Sequence, residues 1–223
     1  MKKALKLLAV TALAAVIGLS MAGCPPPLPD DGEDGSLGDT LTITNAQVYM
    51  WDENENKLGS PFTGTVAGLN YIRNSLLTDV INGTPSVTLT NGKLNIRLGM
   101  PKTSALDSME SFEEEGFTVS PKGAKFLSFT SFSTSSNDTY IQQGSNDVTV
   151  SYYYCDKAVT VIGEVSVTMR NDDSPPIITT IPVYCAMYLK AGWNSVIVTE
   201  NEPGISIKTG TPTDDHKWVV ENR

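Results

Sequence analysis

The chain has 223 residues, 40% of them hydrophobic, and sets 16 Lys and Arg against 25 Asp and Glu for a formal net charge of −9 at pH 7. That acidity excludes nucleic acid as a partner and any polybasic grip on anionic lipid, since both need clustered positive charge. The length suits one domain or two small ones, and all-β sandwiches commonly reach this size undivided.

At the N-terminus, Lys2, Lys3 and Lys6 precede an apolar run from Leu7 to Leu19, which the small-residue cluster Ser20, Met21, Ala22 and Gly23 follows. This is the three-part layout of a secretory signal. As a helix the run reaches roughly 20 Å at about 1.5 Å per residue, short of the ~30 Å hydrocarbon core, so cleavage is expected and a permanent membrane span is not. Met21-Ala22-Gly23-Cys24 resembles the lipobox of bacterial lipoproteins, with methionine where leucine is commoner. The resemblance implies cleavage of residues 1–23 and acylation of Cys24. Two or three acyl chains hold a protein durably at a membrane, where one is marginal. Pro25 follows the cysteine where an aspartate tends to retain lipoproteins at the inner membrane. By the same resemblance the outer membrane or cell surface is favoured, with the periplasmic face as the other place of display.

Residues 24–39 continue with Pro25, Pro26, Pro27 and Pro29, then Asp30, Asp31, Glu33, Asp34, Gly35 and Gly38. Proline favours extended backbone and the acidic, glycine-rich part buries no core, so the segment reads as a tether. Without residues 1–23 the chain keeps 13 Lys and Arg against 25 acids, a net charge of −12.

From Thr40 to the C-terminus a period-two alternation dominates, and residues 40–223 are expected to form one domain. Leu41, Ile43, Ala46, Val48 and Met50 lead into Trp51, and the polar run DENENK ends that strand. Val87 and Leu89 precede Asn91-Gly92, and Leu94, Ile96 and Leu98 follow it. Asn-Gly between alternating apolar residues predicts a two-residue hairpin, because both turn residues tolerate positive φ. Leu106, Met109 and Phe112 recur at three-residue intervals and predict a helix over 104–114, which Gly116 closes; a weaker one is read over 70–80. Strands are expected over 126–132, 148–155, 159–168, 177–189, 196–200 and 218–220, with turns at Asp156-Lys157, 171–176 and Ala191-Gly192. Pro182 implies a sheet edge or bulge, since proline donates nothing to a ladder. The pattern predicts an all-β protein, an antiparallel β-sandwich with Greek-key-like connections and one or two short helices; a partly open β-barrel is the alternative.

With Cys24 acylated, Cys155 and Cys185 remain, in an exported chain where disulfides persist. Cys185 alternates with Ile181, Val183 and Met187, whereas Cys155 alternates with Thr149, Ser151 and Tyr153. A disulfide and two buried free thiols both stay open. Two cysteines and the single His216 supply no four-ligand zinc site, and neither 30–35 nor 52–56 completes a calcium loop, so no metal and no cofactor is expected. Serine or cysteine catalysis would depend on His216 in DDHKW, which reads as an exposed turn residue, and no Gly-x-Ser-x-Gly elbow occurs. Nothing selects a carboxylate pair from the 25 acids.

Trp51, Tyr152, Tyr153, Tyr154, Tyr184, Tyr188, Trp193 and Trp218 are candidates for a stacking platform. Parity with Val148 and Val150 assigns Tyr152 and Tyr154 to the core, whereas Tyr153 falls in phase with Thr149 and Ser151; Tyr153 and Trp193 are the ligand-stacking candidates. The pieces GTPSVTLTNGKLNIRLGMP, YYYCDKAVTVIG and YLKAGWNSV resemble segments of spirochaete and Bacteroidetes lipoproteins of uncharacterised function. That resemblance implies a surface or periplasmic β-domain and carries no catalytic residue across. The expected protein is a non-enzymatic, lipid-anchored binding or structural module with a macromolecular or glycan partner at the cell envelope. A carbohydrate-binding or carbohydrate-processing accessory module is the alternative, and aromatic side chains sharing one sheet face would favour it.

Overall fold

Asn91 and Gly92 take φ values of 50° and 71°, the left-handed pair that a two-residue hairpin requires. They join Ser86–Thr90 to Lys93–Leu98 in register, Thr90 opposite Lys93 and Leu89 opposite Leu94. The computed structural model describes residues 35–52, 57–136, 138–145, 147–170, 178–201 and 204–222. Residues 1–34, over which a signal sequence, Cys24 and most of a tether are expected, and most of both acidic runs (30–35 and 52–56) lie outside these residues.

In chain order the strands are β1 (Ser36–Gly38), β2 (Leu41–Asp52), β3 (Lys57–Pro61), β4 (Tyr71–Ile72), β5 (Ser75–Leu76), β6 (Ser86–Thr90), β7 (Lys93–Leu98), β8 (Asp107–Ser108) and β9 (Thr118–Ser120). Then come β10 (Lys125–Phe129), β11 (Ser131–Ser133), β12 (Thr139–Ser145), β13 (Val148–Cys155), β14 (Val159–Arg170), β15 (Ile178–Leu189), β16 (Gly192–Asn201), β17 (Gly204–Thr209) and β18 (Lys217–Asn222). They make an all-β, sandwich-like fold around a large mixed sheet that is not closed into a barrel. Among the described residues two short helices, Leu77–Val80 and Glu110–Glu114, complete it.

The middle of the molecule is β13. Along one side it pairs with β16 over its whole length; along the other it pairs with β12 near its start and with β10 near its end. Side chains alternate across it into two cores. Val150 and Tyr152 enter one, with Leu41, Val48, Leu94, Leu98, Phe129, Phe132, Trp193 and Trp218. Cys155 enters the other, with Met109, Phe112, Phe126, Val161, Val183, Cys185 and Met187, and Tyr153 packs against it. The first core is covered by β6, β7 and the front half of β2. The second is covered by the β14–β15 hairpin and the helix Glu110–Glu114. A strand buried on both faces explains why hydrophobic alternation alone read the Tyr153 side as exposed.

β2 changes partners along its length. Leu41 to Gln47 pair with β7, whereas Val48 to Met50 pair in parallel with β18; Asn45, at φ 54°, lies inside the register shift of the β7 pairing, between Ile43 and Ala46. Pro182 sits opposite Ser166 of β14, and pairing of β15 with β17 starts only at Val183. Gly204 lies against the proline, whose missing N–H falls where the β15–β17 ladder begins and interrupts none of its pairs.

Three expectations are corrected. Residues 104–114 do not form one helix: a 3₁₀ turn at Thr103–Ala105 and β8, which pairs with β10, precede a helix of five residues. Met109 and Phe112 are buried as the spacing implied, but pairing of Asp107 and Ser108 with β10 overrides the helical period. In residues 70–80, Arg73 and Asn74 both adopt positive φ and turn β4 into β5, leaving only Leu77–Val80 helical. The tether read through residue 39 is already strand at β1, which pairs with β16.

Candidate functional site

Directly paired residues on neighbouring strands face the same side of a sheet. Tyr49 is paired with Val219, Val219 with Gln142, Gly144 with Thr149, and Thr149 with Val198. This row faces away from the first core. Trp51 shares the face by alternation with Tyr49, as Tyr140 does with Gln142 and Ser151 with Thr149. Where the layer over the second core ends, this face opens into a cleft of about 70 Å³ whose walls include Trp51, Gln142, Thr149, Ser151, Val198 and Glu200.

One rim is held by a carboxylate. Glu221 accepts a hydrogen bond from Gln142 Nε2 at 2.9 Å and another from the Tyr140 hydroxyl, while Lys217 Nζ stands 5.9 Å from the centre of the Tyr49 ring. Beneath them Gln143 is held at both ends of its amide: its Nε2 donates to the His216 carbonyl at 2.9 Å and its Oε1 accepts from the buried Tyr152 hydroxyl. On the opposite rim the Glu200 N–H donates to the Asp147 carbonyl at 2.7 Å, which sets these two acidic residues across from each other.

The floor is made of hydroxyls. Ser151 is 5% exposed, and its hydroxyl bonds to none of the described residues. Every side-chain polar atom sealed from solvent among the described residues has a partner, so the Ser151 hydroxyl opens on the cleft it lines. Thr149 and Thr130, both half-buried, bring two more hydroxyls to the same walls. A buried hydroxyl satisfied only from the cleft side is completed by water or by a ligand.

The sequence-predicted stacking residues lie elsewhere. Trp193 is 0% exposed, packs edge-on against Phe129 and Tyr154, and donates its indole N–H to the Gly99 carbonyl at 3.1 Å. The Tyr153 ring stacks on Phe126 at 5.8 Å against the second core, and burial pushes its hydroxyl pKa upward. Neither ring is available to stack on a ligand. The aromatic that does reach the cleft is Trp51, one of the wider set of candidates; the pairing of β2 with β18 places it there, and no local pattern marks it.

Cys155 and Cys185 are free and buried, so the structure takes the second of the two alternatives left open by the sequence. Burial raises both thiols to about 12, which keeps them protonated and unreactive at neutral pH. His216 lies in the turn before β18, where its Nδ1 accepts the Thr213 N–H at 3.0 Å and fixes that turn. Among the described residues no cluster of three or more His, Cys, Asp or Glu side chains is arranged to hold a metal. No helix among them is long and apolar enough to cross a membrane.

No protein-family model, no curated protein and no solved structure matches this chain.

What the cleft can do is therefore read from its groups. Hydroxyls, the Gln142 amide and carboxylates make it rich in acceptors with a few donors among them, and an indole stands on one wall. The groups with shifted pKa values, Glu115, Cys155, Cys185 and Tyr152 to Tyr154, line no part of it.

Proposed function

We propose that this protein is a lipid-anchored, non-enzymatic binding module of the cell envelope, and that the cleft bounded by Trp51, Thr149 and Ser151 is its recognition site. The carrying observation is the Ser151 hydroxyl, buried at the floor of an open cleft and bonded to none of the described residues. Rigid walls support binding over chemistry: Gln142 and Tyr140 are both held by Glu221, Gln143 is held by Tyr152 and the His216 carbonyl, and a preorganised site loses little freedom when a ligand arrives. The imidazole of His216 is engaged in its own turn and serves no cleft hydroxyl as a base. Anchoring rests on the sequence around Cys24.

Two measurements test the two halves of this reading. Cys24→Ala is expected to move the protein from the detergent phase to the aqueous phase and to abolish acyl labelling; unchanged partitioning refutes the anchor. Thr149→Arg places a long cation in the cleft and is expected to abolish retention of the mature protein on purified cell envelopes, with its melting temperature little changed. Full retention by a folded Thr149→Arg variant refutes the cleft as the recognition site.

A further inference from the structure

We infer that the ligand of the cleft is a neutral carbohydrate, with one sugar ring set against the Trp51 indole and its hydroxyl groups bonded to Ser151, Thr149 and the acceptors of the rim. The inference rests on the cleft being the recognition site and names what it recognises.

The partition of groups carries the argument. Ser151, Thr149 and Thr130 each both donate and accept, and Gln142, which gives one amide N–H to Glu221, keeps its carbonyl oxygen and a second N–H for other partners. Asp147, an exposed residue, offers acceptor oxygens. A ligand that satisfies this set must present several donors over a short distance and take bonds back from the hydroxyls. Sugar hydroxyls do both from one ring. A phosphate or carboxylate ligand brings acceptors only and meets carboxylates from Asp147 and Glu200, with no Lys or Arg among the lining residues. A purely apolar ligand would leave the Ser151 hydroxyl dry at the floor, which costs the desolvation of an unpaired polar group.

The second feature is aromatic. Tyr49, Trp51 and Tyr140 all sit on the face that carries the cleft, and of the three Trp51 lines it. An indole presents a flat apolar surface with a negative face, suited to the C–H-rich side of a sugar ring. One ring on one small cleft is a weak ligand, with a Kd of about 1 mM, and a repeated glycan gains by avidity on a membrane carrying many copies.

The experiment is a titration of the full mature protein with methyl glucoside, methyl galactoside, methyl mannoside and N-acetylglucosamine, followed by tryptophan emission and by calorimetry. Trp193 and Trp218 are buried and Trp51 is half-buried, so stacking is expected to change Trp51 emission with at least one sugar. Trp51→Phe is expected to remove that signal and weaken binding in calorimetry. Ser151→Ala is expected to weaken it about tenfold, the loss of one buried hydrogen bond, and Tyr184→Ala, an exposed tyrosine off the cleft, to leave it unchanged. If no sugar of the panel binds, or if Ser151→Ala and Trp51→Phe bind as the parent does, the proposal is overturned. Should Thr149→Arg still abolish envelope retention in that case, the cleft stands and only the carbohydrate falls.

Discussion

Tyr152 shows how one side chain ties the cleft to the core. Its ring stacks on Trp218 at 6.0 Å and on Phe129 at 5.5 Å, and its hydroxyl meets Gln143 Oε1, whose amide nitrogen holds the turn before β18. Tyr152→Phe keeps the ring and leaves a buried amide oxygen unpaired, so chemical denaturation is expected to show a loss of about 1–3 kcal/mol. Glu115 makes the opposite case: burial, with Glu114 beside it, raises its carboxyl from 4.5 to about 7. The fold then binds more protons than the unfolded chain between those values, so stability falls as pH rises through that window. Glu115→Gln is expected to melt higher than the parent at pH 8 and close to it at pH 4. Solvent screening of a partly exposed group keeps the gain to about 1 kcal/mol or less. Parity placed Tyr152 correctly in the core, yet it put Tyr153 on the outside, because β13 is buried on both faces and its alternation separates two interiors.

Among the elements, the Asn91-Gly92 hairpin was fully legible, since a two-residue turn is decided by the residues that make it. Gly92 holds φ 71°, and a Cβ there would overlap the Phe62 carbonyl oxygen. Gly92→Ala is therefore expected to destabilise by more than the ~0.4–1 kcal/mol that the same replacement adds to stability at a compatible site, and to lower the melting temperature accordingly. β12 and β17 were not legible as strands. β12 reads TYIQQGS, and its buried glutamine is stabilised by Tyr152 and by the His216 carbonyl, partners that no local window contains. The cleft was illegible for the same reason: Trp51, Gln142, Thr149 and Val198 meet only through the register of β2, β18, β12, β13 and β16. Trp51 stood among the aromatic candidates, but nothing in its neighbourhood separated it from the buried tryptophans.

At the scale of the molecule, two cores share one middle layer, and this sets how the protein unfolds. β13 and β16 supply Val150, Tyr152 and Trp193 to the first core and Cys155 and Val196 to the second. Neither core can lose those strands without exposing the other, so one cooperative transition is expected in place of two. Each core carries its own reporter. Trp193 and Trp218 sit in the first, and Cys155 and Cys185, closed to thiol reagents while folded, sit in the second. In a Trp51→Phe background, tryptophan emission and thiol labelling followed against urea are expected to give the same midpoint. Met187→Ala cuts only the second core and should destabilise by about 2–5 kcal/mol. Its effect must appear equally in the tryptophan signal, although Met187 belongs to the other core. Separate midpoints, or a Met187→Ala shift seen by the thiols alone, would mean that the cleft rides on a half-molecule able to open without the rest.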